Sequence, residues 1–182
     1  MTIPNLLTLL RIFLLPVIVL VYYLPLDSSY TWAAGLFLLA AMTDWLDGYL
    51  ARRLHQTTRL GAFLDPVADK LTVSLTLLLI VEEYYAIWMT LPAMVIVGRE
   101  IVISALREWM AEMGQRSSVA VSYIGKFKTA VQMVSIMLLL STPPDTHIAI
   151  VGITLLYIAT VLTLWSMSLY LYVAWQQLRQ LS

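Results

Sequence analysis

The sequence predicts an all-α integral membrane protein with six transmembrane helices and both termini in the cytoplasm. Three observations favour this fold class: an apolar composition, six apolar segments of membrane-spanning length, and basic residues confined to alternate connections. Of the 182 residues, 60% are hydrophobic and 12% are charged, and the mean hydropathy is +0.83. Because soluble domains carry about a quarter charged residues, this composition favours a membrane protein.

Composition also excludes several kinds of site. The chain has no cysteine, which excludes disulfides, thiolate catalysis and cysteine metal sites. Its net charge is zero, so we expect no general attraction to nucleic acid. Arg11 interrupts the apolar N-terminal run, and this argues against a cleaved signal peptide.

Six apolar segments follow one another along the chain, each near the roughly 20 residues needed to cross a bilayer. No internal repeat or appended polar region interrupts them, so we expect one membrane-embedded domain over residues 1–182. The predicted spans cover about 4–25, 30–52, 62–82, 86–112, 119–141 and 147–175.

The distribution of charge orients these spans. If the N-terminus is cytoplasmic, the charged residues of the outer connections are all acidic. They are Asp27, Glu82, Glu83 and Asp145. Cytoplasmic connections carry an excess of Lys and Arg, so six spans with both termini inside fit the pattern. The inner connections and adjacent helix ends hold Arg52, Arg53, Arg59, Lys70, Arg107, Arg116, Lys126, Lys128 and Arg179.

Two aspartates mark the inner end of the second predicted span. Asp44 and Asp47 are three residues apart and therefore share a helix face. Gly48 and Ala51 lie on the same arc, and their small size lets another group approach closely. Arg52 follows at the edge of that arc.

Two more aspartates mark the start of the third predicted span. Gly61, Asp65 and Asp69 are spaced by four and share one face. Pro66 falls in the first turns, where its missing N–H costs least. We expect a short connection to join the two helices as an antiparallel hairpin and to bring the four carboxylates into one cluster.

Four neighbouring carboxylates need compensating positive charge to stay ionised. An all-oxygen ligand set suits Mg²⁺, Mn²⁺ or Ca²⁺, and four carboxylates can hold two metals about 4 Å apart. Zinc is disfavoured, because His55 and His147 lie off these helix faces. Two alternatives stay open: structural ion pairs with Arg52 and Lys70, and an ion pathway in a transporter.

The complete pattern is D-x2-D-G-x2-A-R-x8-G-x3-D-x3-D, and it resembles the signature of the CDP-alcohol phosphotransferases. Further segments at 4–11, 98–114 and 118–133 are similar to bacterial members that use CDP-diacylglycerol and glycerol 3-phosphate. The eight fixed positions of the signature are Asp44, Asp47, Gly48, Ala51, Arg52, Gly61, Asp65 and Asp69.

The resemblance implies the family's six-helix fold, a homodimer, and two divalent metal ions, Mg²⁺ or Mn²⁺, at the cytoplasmic side of the membrane. The implied reaction moves the phosphatidyl group of CDP-diacylglycerol to sn-glycerol 3-phosphate, giving phosphatidylglycerophosphate and CMP. The implied location is the bacterial cytoplasmic (inner) membrane, with membrane lipid and no nucleic acid as partner.

The same resemblance implies roles for the signature residues. Asp69 is expected to act as the general base as well as a metal ligand. Gly48, Ala51 and Gly61 would leave room for the CDP-lipid, and Arg52 would contact it. The four implied metal ligands are Asp44, Asp47, Asp65 and Asp69.

A first polar stripe lies on the first predicted span. Asn5, Thr8 and Arg11 follow one another at spacings of three. We expect Asn5 and Thr8 to contact the nucleotide or diphosphate of the CDP-lipid, although a stripe that simply lies at the membrane interface would look the same.

An acceptor that carries a phosphate requires cations. Arg99 and Arg107 are eight residues apart on the fourth predicted span and can converge, and Lys126 opens the fifth span at the same membrane side. We predict that these three bind the phosphate of glycerol 3-phosphate. A structural pair with Glu100 is the alternative for Arg99, and interface anchoring is the alternative for Lys128.

Two other functions stay open at this point. The same family chemistry could use serine, inositol phosphate or phosphatidylglycerol as acceptor. A small divalent-cation transporter would also carry acids in its spans, although it would need them across the membrane depth, whereas here they cluster at one side.

Overall fold

The computed structural model describes residues 2–53, 58–113 and 123–181, and within these ranges the chain forms six α-helices. Each predicted span corresponds to one helix. The helices are α1 (Ile3–Tyr22), α2 (Ser29–Arg53), α3 (Arg59–Tyr84), α4 (Ile87–Glu112), α5 (Tyr123–Ser141) and α6 (His147–Leu181).

Local chemistry explains where the helix ends differ from the prediction. Helix α1 ends at Tyr22, short of the predicted boundary, because the residue before Pro25 disfavours helical backbone. Helix α3 begins earlier than predicted, because the Thr58 hydroxyl caps it by accepting a hydrogen bond from the Gly61 N–H at 2.9 Å. Residues 119–122 of the predicted fifth span lie outside the described residues.

Helix α6 is longer than its predicted span. Its apolar stretch ends near Gln176, but the helix continues to Leu181. Gln, Leu and Arg favour helix, so the backbone stays helical after the sequence has ceased to suit a membrane interior. Hydropathy therefore located the apolar span and missed the last helical turn.

Among the residues that the structure describes, three helices are long and apolar enough to cross a membrane, and they contain Pro4–Tyr22, Ile87–Glu112 and His147–Gln176. Helix α5 contributes a shorter apolar stretch, Phe127–Ser141. Helices α2 and α3 are less apolar, because each carries two of the aspartates together with basic residues.

The packing order differs from the predicted hairpin. Helix α1 packs extensively against both α2 and α3, whereas α2 and α3 barely touch each other. Helix α1 therefore lies between the two aspartate-bearing helices. On the other side, α5 packs against α6 and α2, and α4 packs against α6 and α3.

Buried residues divide the molecule into an apolar part and a polar part. The apolar core draws on all six helices, as with Ile18, Phe37, Ile80, Ile96 and Leu139, all almost fully buried. Large apolar side chains also cover the outside, as expected for helices that face lipid. The buried polar and charged residues include Asn5, Thr8, Arg11, Asp47, Arg99, Lys128 and Gln132.

A close helix contact joins α5 to α6. Ser135 donates a hydrogen bond from Oγ to the Gly152 carbonyl at 2.8 Å. A Cβ on Gly152 would lie 2.8 Å from Cγ of Leu139, so a side chain at this position would force the two helices apart. Small residues allow such close approach between membrane helices.

We therefore expect Gly152→Ala to lower the free energy of unfolding by about 1–3 kcal/mol, the usual cost of overpacking. Gly35→Ala is the matched control, because a Cβ on Gly35 meets nothing within 4 Å. In a helix that control should be neutral or stabilising by up to about 1 kcal/mol. Thermal unfolding of the detergent-purified variants measures both, and equal melting temperatures would contradict the packing described here.

Candidate active site

The four signature aspartates gather around two side chains of α1. The Arg11 guanidinium is 1% exposed and contacts three of them. Its Nη1 lies 2.8 Å from Oδ1 of Asp44 and also bonds Oδ1 of Asp69, and its Nη2 lies 2.5 Å from Oδ2 of Asp47. One cation from α1 thereby joins carboxylates of α2 and α3.

The Thr8 hydroxyl completes the cluster one turn earlier on α1. It lies 2.7 Å from Oδ1 of Asp65 and 3.3 Å from Oδ2 of Asp47, and also bonds the Pro4 carbonyl at 3.1 Å. A hydroxyl has one proton, so it donates to one of these oxygens at a time. The fourth carboxylate is thus held by a neutral donor.

Asn5 and Gly61 lie in close contact next to this cluster. Thr58 donates from Oγ to the Asn5 amide oxygen at 2.9 Å. A Cβ on Gly61 would lie 2.7 Å from that same oxygen. The Asn5 side chain therefore packs against this glycine, and the expected role of Gly61 in leaving room for the CDP-lipid stays a prediction.

Asn5 and Thr8 are both buried in this cluster. Asn5 is 5% exposed and Thr8 is fully buried, and both bond protein groups. Their expected contact with the CDP-lipid stays a prediction. Gly48 lies half-buried on α2, and the side chains of Ala51 and Arg52 lie outside the described residues.

Exposure separates the four acids into two kinds. Asp47 is 4% exposed and held firmly, whereas the side chains of Asp44 and Asp69 are 41% and 49% exposed. Asp44 and Asp69 line a cavity of about 260 Å³. These two carboxylates can therefore reach a ligand without disturbing the buried pair of Arg11 and Asp47.

The charge of the cluster fits divalent cations. The cluster contains four carboxylates and one guanidinium, and such an excess of negative charge needs further compensation. All donors are oxygens, as Mg²⁺ and Mn²⁺ prefer. In the described part of the chain no three acidic or histidine side chains form a ready-made metal site.

A basic group lies across the same cavity. Lys70, Arg99, Arg107 and Lys128 all line it, and they come from α3, α4 and α5. Arg99 and Lys128 share the carboxylate of Glu100, at 2.5 Å and 3.3 Å. The sequence alternative of an Arg99–Glu100 pair is thus observed, and the interface-anchor interpretation of Lys128 is wrong because this lysine is 2% exposed.

The other two cations have only neutral partners within the described residues. Lys70 donates to the Ser104 hydroxyl, and Nη2 of Arg107 donates to the Tyr170 hydroxyl at 3.2 Å. The Arg107 guanidinium also stacks on the Tyr170 ring, 5.2 Å from its centroid. Lys70 and Arg107 are therefore the cations best able to bind an added anion. The side chain of Lys126 lies outside the described residues.

Sequence reasoning missed three participants: Arg11 as the partner of the aspartates, Lys70 as a cavity cation, and Glu100 as the shared carboxylate. A signal existed for Arg11, since a charged residue within a 20-residue apolar run requires a buried partner. The alternative of structural ion pairs instead considered Arg52 and Lys70, which lie close to the aspartates in sequence.

Comparison with known proteins identifies the family of this chain. The family model of CDP-alcohol phosphatidyltransferases matches residues 1–165. The chain belongs to this family. The resemblance inferred from the signature is thereby confirmed, and the chain is a helical membrane protein.

Curated relatives of high identity carry one name, CDP-diacylglycerol–glycerol-3-phosphate 3-phosphatidyltransferase. The protein of Shigella flexneri serotype 5b is 58% identical over 93% of this chain and 92% of the relative. That of Escherichia coli K12 is 57% identical over the same shares. That of Sodalis glossinidius is 55% identical over 96% of this chain and 95% of the relative.

Removal of the central guanidinium tests the cluster. We expect Arg11→Met to lower the free energy of unfolding by about 3–5 kcal/mol, because it leaves buried carboxylates without their cation. Mn²⁺ should then raise the melting temperature of the variant more than that of the wild-type protein, since the freed oxygens can bind the metal.

Arg53→Met is the matched control, because Arg53 is an exposed arginine whose Nη1 bonds the Tyr49 hydroxyl on its own helix. Its melting temperature should stay near the wild-type value, with or without Mn²⁺. Similar losses in both variants, measured by thermal unfolding in detergent, would show that Arg11 does not hold the carboxylates together.

Proposed function

We propose that this protein transfers the phosphatidyl group of CDP-diacylglycerol to sn-glycerol 3-phosphate, releasing CMP and phosphatidylglycerophosphate. One observation carries the proposal: a single cavity is lined by the carboxylates of Asp44 and Asp69 and by the cations Lys70 and Arg107. A reaction between a diphosphate and a phosphorylated alcohol needs both kinds of charged side chain in one cavity. The names of the relatives support the same reaction.

The donor end of the cavity would be the acidic cluster. Asp44, Asp47, Asp65 and Asp69 are the residues that would hold two divalent ions, Mg²⁺ or Mn²⁺, with Asp44 and Asp69 facing the cavity. Bound there, such ions neutralise the charge that develops on the phosphates and on departing CMP. Arg11 and Thr8 keep the carboxylates of α2 and α3 at one place.

The acceptor end would be the basic group. Lys70 and Arg107 would bind the phosphate of glycerol 3-phosphate, as a point charge and as a planar fork. Arg99 would contribute less to phosphate binding, because its charge is already paired with the Glu100 carboxylate. This arrangement fixes the acceptor by its phosphate and leaves its primary hydroxyl free to approach Asp69.

Asp69 would act as general base. Its carboxylate takes the proton of the primary hydroxyl as the hydroxyl oxygen attacks the phosphorus that bears diacylglycerol. The bond from that phosphorus to the CMP oxygen breaks, and CMP leaves with the electron pair. Positioning of both substrates in one cavity supplies much of the rate acceleration in such transfers.

The membrane arrangement is part of the proposal. All six helices would cross the bacterial inner membrane as one domain over residues 1–182, with both termini and the site at the cytoplasmic side. The one-sided basic residues support this orientation. The resemblance to the family further supports a homodimer. A site at the helix ends suits a donor whose acyl chains lie in the bilayer and whose nucleotide lies in water.

Loss of the base tests the chemistry. With Mg²⁺ or Mn²⁺, CDP-diacylglycerol and glycerol 3-phosphate, we expect Asp69→Asn to lower the rate of CMP release by about 10²–10⁴-fold, the usual contribution of a general base. Chelation of the metal with EDTA should abolish CMP release by the wild-type protein.

Asp145→Asn is the matched control, because Asp145 is exposed in the connection between α5 and α6, far along the chain from the cluster. It should keep the wild-type rate. Metal flux into liposomes without CMP release would instead favour the cation transporter.

The acceptor end has its own test. We expect Lys70→Gln and Arg107→Gln each to raise the KM for glycerol 3-phosphate by about 10- to 100-fold, because a hydrogen bond to a charged group is lost. The KM for CDP-diacylglycerol should change little. Arg53→Gln, a change at an exposed arginine outside the cavity, is the control. Both KM values are measured by steady-state kinetics in mixed micelles. An equal rise in the KM for CDP-diacylglycerol and in the KM for glycerol 3-phosphate would refute the assignment.

A further inference from the structure

One wall of the cavity contains a neutral polar side chain whose role the proposed reaction leaves open. Gln132 lies on α5, four residues after Lys128, so the two side chains share a helix face. It is 3% exposed and lines the cavity together with Asp69 and Arg107. A buried amide thus lines the same cavity as the acidic and the basic groups.

The amide oxygen of Gln132 has no hydrogen-bond partner among the described residues. Buried polar atoms in folded proteins are nearly always paired, because an unpaired one loses its hydration without compensation. An unpaired atom in the wall of a polar cavity therefore points to a ligand that supplies the missing bond. The buried hydroxyl of Thr163 is also unpaired, but Thr163 does not line this cavity.

The other neutral polar groups of the cavity wall already have partners. The Thr129 hydroxyl donates to the Gly125 carbonyl at 2.9 Å. The Tyr170 hydroxyl accepts from Arg107. Gln132 is accordingly the neutral side chain best placed to bind a further polar group of an acceptor.

sn-Glycerol 3-phosphate has such a group. Its phosphate and its attacking hydroxyl are at opposite ends, and a second hydroxyl lies on the central carbon between them. If the phosphate binds Lys70 and Arg107 and the attacking oxygen meets Asp69, the central hydroxyl lies between the two held ends of the substrate, in the cavity that Gln132 also lines. A hydroxyl both donates and accepts, so it can pair with either end of an amide.

We propose that Gln132 is a specificity-determining residue that binds the central hydroxyl of the acceptor. The proposal rests on the proposed function, because it assumes glycerol 3-phosphate in the cavity. A site built to bond a substrate hydroxyl rejects an analogue that lacks it, since the protein group is then left unpaired. The protein should therefore select a phosphorylated diol over a phosphorylated alcohol of the same length.

The test compares two acceptors and two proteins. The acceptors are sn-glycerol 3-phosphate and 3-hydroxypropyl phosphate, which lacks only the central hydroxyl. The proteins are the full-length wild type and Gln132→Leu, and the readout is kcat/KM for metal-dependent CMP release from CDP-diacylglycerol. We expect the wild type to prefer glycerol 3-phosphate by about 10- to 100-fold, and Gln132→Leu to lose that preference.

The loss of preference should come from a lower kcat/KM for one acceptor only. Gln132→Leu should lower kcat/KM for glycerol 3-phosphate by about the same 10- to 100-fold and leave that for 3-hydroxypropyl phosphate nearly unchanged. A merely structural role for Gln132 would lower both equally and would overturn the proposal. Thr163→Val, which removes an unpaired buried hydroxyl outside the cavity, should keep the wild-type preference.

The wild-type comparison tests the proposal even if Gln132→Leu does not fold. A wild-type protein that uses both acceptors equally well overturns the role of Gln132 and leaves the proposed function intact. A wild-type protein that releases no CMP with either acceptor overturns both. Gln132→Met provides a second variant of similar volume, with the same expected loss of preference.

Discussion

The burial of Arg11 against three carboxylates is the interaction on which the aspartate cluster depends. Helices α2 and α3 barely touch, and their aspartates would repel one another without a cation between them. The guanidinium of α1 contacts Asp44, Asp47 and Asp69 together, and its planar fork suits several carboxylates at once. The first helix is therefore part of the site.

The cavity beside this cluster is lined by charges of both signs. Asp44 and Asp69 line it together with the four cations Lys70, Arg99, Arg107 and Lys128. Glu100 pairs with two of those cations, Arg99 and Lys128, and leaves the charge of Lys70 and Arg107 available for a phosphate. Such an arrangement suits a reaction between two phosphorylated substrates, since the basic side chains can compensate the charge of one phosphate and divalent ions held by the carboxylates would compensate that of the other.

Local spacing accounts for what could be predicted from the sequence. The three- and four-residue spacings of the aspartates placed each pair on one helix face, and hydropathy located the ends of each helix to within about six residues. The insertion of α1 between α2 and α3 could not be predicted, because it depends on packing between distant segments. For the same reason the close approach of the Asn5 side chain to Gly61 could not be predicted.

The charges of this cavity are expected to select a phosphorylated glycerol as acceptor for a CDP-linked lipid. Competition among acceptors tests it most directly. Purified protein with CDP-diacylglycerol and equal concentrations of glycerol 3-phosphate, serine and inositol phosphate should form phosphatidylglycerophosphate, with one CMP released per lipid product, as measured by mass spectrometry. A predominance of phosphatidylserine or of phosphatidylinositol phosphate would contradict the claim.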